Sequence, residues 1–246
     1  MKPRVDAHVH LYEFKPEELE SLMNNNIIMV TVAEDYESSL KNIELKDTYP
    51  SNVKACIGLH PWKIKEDAEI KRQVDLLWDL AREADCIGEV GLDKKFVPST
   101  FHIQQQVFRE ILDIALKARL PLNIHAAGAW RETFEIVVAG KIEKALFHWY
   151  TGPLDILVKI FEKGYMVSVN AAARIQEKSR RIAALIPFHL LLTESDGPYN
   201  YRGMNLSPQL IPELTNLLAS IRGVSEDYII ENVYNNLGRY LGFKQG

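Results

Sequence analysis

Arg4-Val5-Asp6-Ala7-His8-Val9-His10-Leu11 alternates apolar and polar residues with the period of a β-strand and closes on two histidines. Residues two apart on an extended chain point to the same side, so His8 and His10 present two imidazoles to one point. Two imidazoles aimed at one point suggest a metal.

The same placement recurs further along. Glu89 follows Cys86-Ile-Gly, His125 follows Pro121-Leu-Asn-Ile, His148 follows Ala145-Leu-Phe, and Asp196 follows Leu190-Leu-Leu-Thr-Glu-Ser. One histidine at the end of an apolar run is ordinarily a hydrogen-bonded core or surface residue. Donors repeated at one topological position point instead to a shared site.

Strand-length, β-branched runs occur at Arg4 to His10, Ile27 to Ala33, Val53 to His60, Cys86 to Gly91, Pro121 to His125, Lys144 to His148, Tyr165 to Asn170 and Leu190 to Asp196. Helical periodicity fills the gaps at Pro16 to Asn25, Glu37 to Asp47, Glu66 to Glu83, Thr100 to Arg119, Ala129 to Ala139, Pro153 to Lys163 and Ala173 to Leu185. Two more helices, Ser207 to Ile221 and Ser225 to Leu241, follow the last strand. Such α/β alternation, without a Pro/Gly/Ser-rich linker, predicts a single (β/α)8 TIM barrel spanning residues 1–246 as one domain. A doubly wound open sheet is the competing architecture. The donors favour the barrel, because the first, fourth, fifth, sixth and eighth strands converge on one point only if the sheet closes.

Composition sets the outer bounds. The chain of 246 residues is 47% hydrophobic and 25% charged, which suits an ordinary globular protein with a sizeable core. A formal charge of −4 and a pI near 6.0 argue against a broad basic face that coats nucleic acid, though a substrate held at a single phosphate is compatible with them. No apolar stretch reaches the length of a membrane span, and Met1-Lys-Pro-Arg leads into the first strand without a secretory apolar region. Cys56 and Cys86 lie in interior-type strands and read as buried free thiols, which suits a reducing cytoplasm.

Imidazole nitrogen and carboxylate oxygen suit divalent cations such as Zn, Mn or Mg. Six donors, His8, His10, Glu89, His125, His148 and Asp196, exceed the four of a closed structural zinc site and point to two cations per chain, with the two oxygens of Glu89 able to bridge. Paired cations polarise a phosphoryl or carbonyl oxygen and activate water at neutral pH, so hydrolysis is the expected reaction. Asp196 is the expected general base, a catalytic role added to its place as ligand.

The segments Val5-Asp-Ala-His-Val-His-Leu11, Gly58-Leu-His-Pro61, Gly88-Glu-Val-Gly-Leu-Asp93, Pro121-Leu-Asn-Ile-His125, Phe147-His-Trp-Tyr-Thr-Gly152 and Leu191-Leu-Thr-Glu-Ser-Asp-Gly-Pro198 resemble, in order, the signatures of the TatD family of metal-dependent deoxyribonucleases, within the amidohydrolase-like group. Gln104-Gln-Gln-Val-Phe108 and Arg202-Gly203 resemble the family too. The resemblance implies a (β/α)8 barrel, the six ligands named above, and hydrolysis of DNA phosphodiesters, in characterised members from 3′ ends. The chain departs from the family at Tyr12, where Asp or Asn is usual, and after His125, where Ser-Arg is typical and the first arginine here is Arg131. Without that guanidinium, a metal-dependent amidohydrolase or small phosphoester hydrolase of the same fold stays open, and so does a non-catalytic metal-binding scaffold.

His60, preceding a proline at the end of the third strand, is expected to contact the substrate phosphate or leaving group, and Arg202 to bind a substrate anion. Trp130 and Trp149 are placed either to stack a nucleobase or to pack the barrel rim. His102 and His189 fall outside strand ends and are assigned surface or structural roles.

Overall fold

A computed structural model of the chain describes residues 2–65 and 68–242. Eight parallel strands run in sequence order: β1 (Arg4–Val9), β2 (Ile27–Thr31), β3 (Val53–Ile57), β4 (Cys86–Gly91), β5 (Leu122–His125), β6 (Ala145–Phe147), β7 (Met166–Asn170) and β8 (Leu191–Glu194). Three side-chain and backbone bonds sew the last strand to the first. Thr193 Oγ1 donates to the Val5 carbonyl (2.5 Å), the Ser195 N–H to the Asp6 carboxylate (2.9 Å), and the Asp196 N–H to the His8 carbonyl (2.9 Å). The sheet is therefore the expected (β/α)8 barrel and not an open, doubly wound one.

Helices α1 (Pro16–Met23), α2 (Tyr36–Thr48), α3 (Ala68–Leu80), α4 (Phe101–Ala118), α5 (Trp130–Ala139), α6 (Leu154–Glu162) and α7 (Glu177–Leu185) alternate with the strands, and α8 (Ile211–Arg222) and α9 (Glu226–Leu241) follow. Their apolar stripes cover the outside of the barrel. On α4, for example, Val107, Phe108, Ile111, Leu112, Ile114 and Ala115 are buried at helical spacing. Capping fixes where helices begin, as where Asp35 accepts the Ser38 N–H at the start of α2 (2.9 Å) and Ser225 the Tyr228 N–H at α9 (3.2 Å). Among the described residues, no helix is long and apolar enough to cross a membrane.

Three details differ from the sequence reading. The helix expected from Ala173 begins as a 3-10 turn, Ala171–Arg174, because the Asn170 side chain accepts the Ala172 N–H (2.7 Å) and turns the chain before α7 starts. The stretch between Asp196 and Ser207, read as neither strand nor helix, contains a hairpin of β9 (Tyr199–Tyr201) and β10 (Met204–Leu206). Its connection, Arg202-Gly203, has φ of 52° and 86°, the left-handed pair that suits a two-residue hairpin. Cys56 and Cys86, expected as free thiols, form a disulfide. Although 30 residues apart in sequence, they are direct register partners on β3 and β4 with Cα atoms 4.4 Å apart, a proximity that spacing alone does not reveal. The bridge withdraws the free-thiol argument for a reducing cytoplasm.

Candidate metal centre

All six expected ligands meet at the C-terminal end of the barrel, where β1, β4, β5, β6 and β8 deliver them. Close approach of β4 to β5 depends on Gly91, at φ 140°, since a Cβ there would stand 2.0 Å from the His125 carbonyl oxygen. Asp196 sits just past β8 with φ 57°, a conformation unusual for a residue with a side chain, and its N–H is tied back to His8.

The donors fall into two groups that share Glu89. Glu89 Oε2 lies 3.3 Å from His8 Nε2 and 3.4 Å from His10 Nε2, while Asp196 Oδ1 lies 3.4 and 3.5 Å from the same two nitrogens. Glu89 Oε1 faces the other way, 2.8 Å from His125 Nδ1, 3.0 Å from His148 Nε2 and 3.4 Å from His60 Nε2. Four ligands arranged tetrahedrally at about 2.0–2.1 Å from an ion are about 3.3–3.4 Å from one another. The first group matches that spacing. His8 Nε2 is also buried without a hydrogen-bond partner, as a nitrogen built to ligate would be.

A layer of polar residues behind the ligands fixes which ring nitrogen faces the site. Asn123 donates Nδ2 to the Ala7 carbonyl (2.8 Å), so its Oδ1 accepts from His8 Nδ1–H (2.8 Å) and leaves the His8 Nε2 lone pair for the centre. Asp93 Oδ2 accepts from His125 Nε2 (3.1 Å) and from the Trp62 indole (2.6 Å), leaving His125 Nδ1 inward. Glu194, fully buried between Ser168 and Asn170, stands 3.5 Å from His148 Nδ1. Tyr12, at the position of the departure noted above, reaches His10 Nδ1 at 3.5 Å.

Charge follows this geometry. Burial disfavours an ionised Glu89, but the imidazoles of His60, His8 and His148 outweigh it and hold the carboxylate well below its usual range. Burial likewise opposes charge on His10 and His125, yet the hydrogen bonds that the first donates to Asp196 and Glu89, and the second to Asp93 and Glu89, push both up to about 9. Asp93 is drawn down to about 2, its burial outweighed by His125, the Phe96 N–H and Trp62. His60 differs, because burial lowers it below the usual imidazole range. Its Nδ1 accepts the Trp62 N–H (3.2 Å), so the neutral ring carries its proton on Nε2, toward Glu89. That makes His60 a hydrogen-bond donor at the floor of the site.

A cavity of about 450 Å³ opens above the cluster, lined in part by His10, His60, Glu89, His125, His148 and Asp196. Trp130 and Trp149 line it as well, the first packed 4.4 Å from Tyr150 and the second holding Gln176 through its indole N–H (3.0 Å). Arg202 does not line it, being exposed at the hairpin turn with its guanidinium over Tyr201 (5.4 Å). Arg131 is paired with Asp155 on the surface (2.5 Å). His102 and His189 are exposed away from the centre.

Asp93, Asn123 and Glu194 escaped the sequence reading as individual residues. Two of them carried a readable signal, since Asn123 and Glu194 each precede a ligand by two positions and so share its side of the strand.

Residues 5–242 match the profile described as TatD related DNase. An uncharacterized metal-dependent hydrolase of Methanocaldococcus jannaschii is 25% identical over 244 residues, covering 96% of each chain. The crystal structure of YJJV, the TatD homologue of Escherichia coli, superposes with a TM-score of 0.87 at 22% identity, covering 98% of each chain. A TatD family hydrolase of Entamoeba histolytica superposes with a TM-score of 0.82 at 17% identity, over 97% of this chain and 98% of that one.

Proposed function

The chain belongs to the TatD-related DNase family and is a metal-dependent hydrolase, and from that membership we propose that it cleaves phosphodiester bonds of DNA at 3′ ends. Two divalent cations would serve it, one held by His8, His10, Asp196 and Glu89 Oε2, the other by His125, His148 and Glu89 Oε1. The observation that carries this reading is the divided carboxylate of Glu89, with each oxygen turned to a separate donor set.

Bound cations at this centre supply a polarised phosphoryl oxygen and a coordinated water of lowered pKa. The rest is the work of the chain. Asp196, whose side chain is 16% exposed at the floor of the cavity, orients the attacking water and accepts its proton. His60 presents Nε2–H to the same floor, in position to donate to a phosphoryl or leaving-group oxygen. Asp93, Asn123 and Glu194 keep the ligating nitrogens aimed inward as the substrate arrives.

Single-stranded oligonucleotides labelled at either end and incubated with Mg, Mn or Zn test the reading. Shortening from the 3′ end is expected, with Asp196→Asn losing about 10²- to 10⁴-fold in turnover while keeping metal. Strands left whole in every metal, or an Asp196→Asn variant as active as wild type, would overturn it. A small phosphoester or amide hydrolase is the second reading, favoured by a cavity in which Lys95 is the only Lys or Arg lining residue among those described. A panel of chromogenic esters and amides separates the two.

A further inference from the structure

We propose that Lys95, with the exposed rings of Trp62 and Phe96, forms a subsite for an unpaired nucleotide adjoining the scissile phosphate, with the ammonium on its phosphate and the rings against its base. This rests on the phosphodiesterase reading above and names the part of the chain that holds the strand.

The cavity needs such a cation. Beyond the metal ligands, Glu13 and Glu34 line it, Lys95 is the only Lys or Arg among its described lining residues, and no arginine follows His125 before Arg131. Lys95 is brought in from the neighbouring loop instead. The Lys94 N–H bonds the Ala127 carbonyl (2.9 Å), so the segment after β4 lies directly against the segment after β5. Gly128, at φ 70°, permits this contact, because a Cβ there would come within 3.2 Å of the Lys95 Cβ. The two lysines then diverge. Lys94 turns to the surface and pairs with Glu132 (3.2 Å), whereas Lys95 lines the cavity with its Nζ 4.6 Å from the centre of the Phe96 ring. No ion pair of the described residues engages Lys95.

The loop is held rigidly enough to aim it. Asp93 Oδ1 accepts the N–H groups of Lys95 (2.8 Å) and Phe96 (2.7 Å), and Gln104 clamps the same turn through the Asp93 N–H (2.8 Å) and the Val97 carbonyl (2.9 Å). Trp62 is fixed by its indole bond to Asp93, the residue that also orients His125. Trp62 and Phe96 remain 47% and 57% exposed with ring centres 5.8 Å apart, and both line the cavity, where a planar ligand would cover them. A base already stacked in a duplex has no free face for them, so the subsite selects an unpaired nucleotide. Lys95 is exposed, whereas the donors lining the same cavity are buried or partly buried, which assigns its phosphate to the outer side of the bond being cut.

Fluorescence anisotropy of a labelled oligothymidylate on the metal-loaded Asp196→Asn protein, in which the strand survives, tests the subsite across a salt series. Lys95→Ala should weaken binding several-fold and lower the slope of log Kd against log salt by about 0.7, the share of one phosphate on a single strand. Lys95→Arg should restore both. Phe96→Ala should weaken binding about tenfold with the slope unchanged, since it removes stacking and no charge. Lys94→Ala, outside the cavity, should change neither. A wild-type slope in Lys95→Ala, or equal losses in Lys94→Ala and Lys95→Ala, overturns the subsite. Cleavage by the wild-type enzyme is measured alongside: a strand that binds through Lys95 but stays whole supports the subsite and overturns the nuclease, whereas a strand that is cut but indifferent to Lys95 does the reverse.

Discussion

Acidification should strip metal from this centre well above the range in which carboxylates titrate. In the metal-free chain His10 and His125 are pushed up to about 9, because neighbouring Asp196, Glu89 and Asp93 outweigh the burial that opposes their charge. Each ring therefore carries a proton at neutral pH, and coordination through His10 Nε2 or His125 Nδ1 must expel it. One proton exchanged per cation makes affinity fall about tenfold for each pH unit below 9. Between about pH 8 and pH 6 each cation should bind about 100-fold more weakly, roughly 2.7 kcal/mol. His8 and His148, also raised by their carboxylate neighbours against burial, can only steepen the dependence. Isothermal titration of Zn or Mn into chelator-stripped protein, repeated in buffers of different ionisation enthalpy, reads affinity and protons released together. Affinity flat across that range with no proton released would refute the reasoning.

The same two imidazoles tie the metal-free fold to pH: with unfolded values near 6.5, their stabilisation is fully present below that value and lost as pH rises through about 9, so thermal melts of stripped protein should fall over this window. Glu89→Gln should keep the fold and lower metal content measured by atomic emission, because the amide offers one ligating oxygen where the carboxylate offers two; full content would contradict the bridge. Asp93→Asn should weaken metal binding about 10- to 100-fold by releasing His125, a loss visible in titration without any activity assay. Unfolding the protein without reductant should expose no thiol reactive with Ellman's reagent, and reduction should release Cys56 and Cys86; free thiols before reduction would contradict the bridge between β3 and β4.

The fold was legible because each strand is a short β-branched run and each helix keeps its own periodicity, as in Leu122–His125 and Phe101–Ala118. The cluster of candidate donors was legible for the same reason, since a donor at the end of an apolar run needs only local sequence to be noticed. What local sequence hides is registration across strands. Cys56 meets Cys86 only through the pairing of β3 with β4, and Asn123 meets His8 only because the barrel closes. Arg202 illustrates the converse. Its place after the last strand suggested a role in substrate binding, but the φ of 52° that makes a hairpin turn carries its side chain away from the cavity. Lys95 was passed over because nothing in Asp93-Lys-Lys-Phe96 tells which lysine turns inward.

The seam between β8 and β1 joins residues 188 and 189 positions apart, Val5 to Thr193 and Asp6 to Ser195. A chain emerging from the ribosome thus displays His8 and His10 long before Asp196. Loop closure over such a span comes late in folding. The order of synthesis therefore acts as a timer, because the donors of the candidate metal centre come together only after the eighth strand has been made.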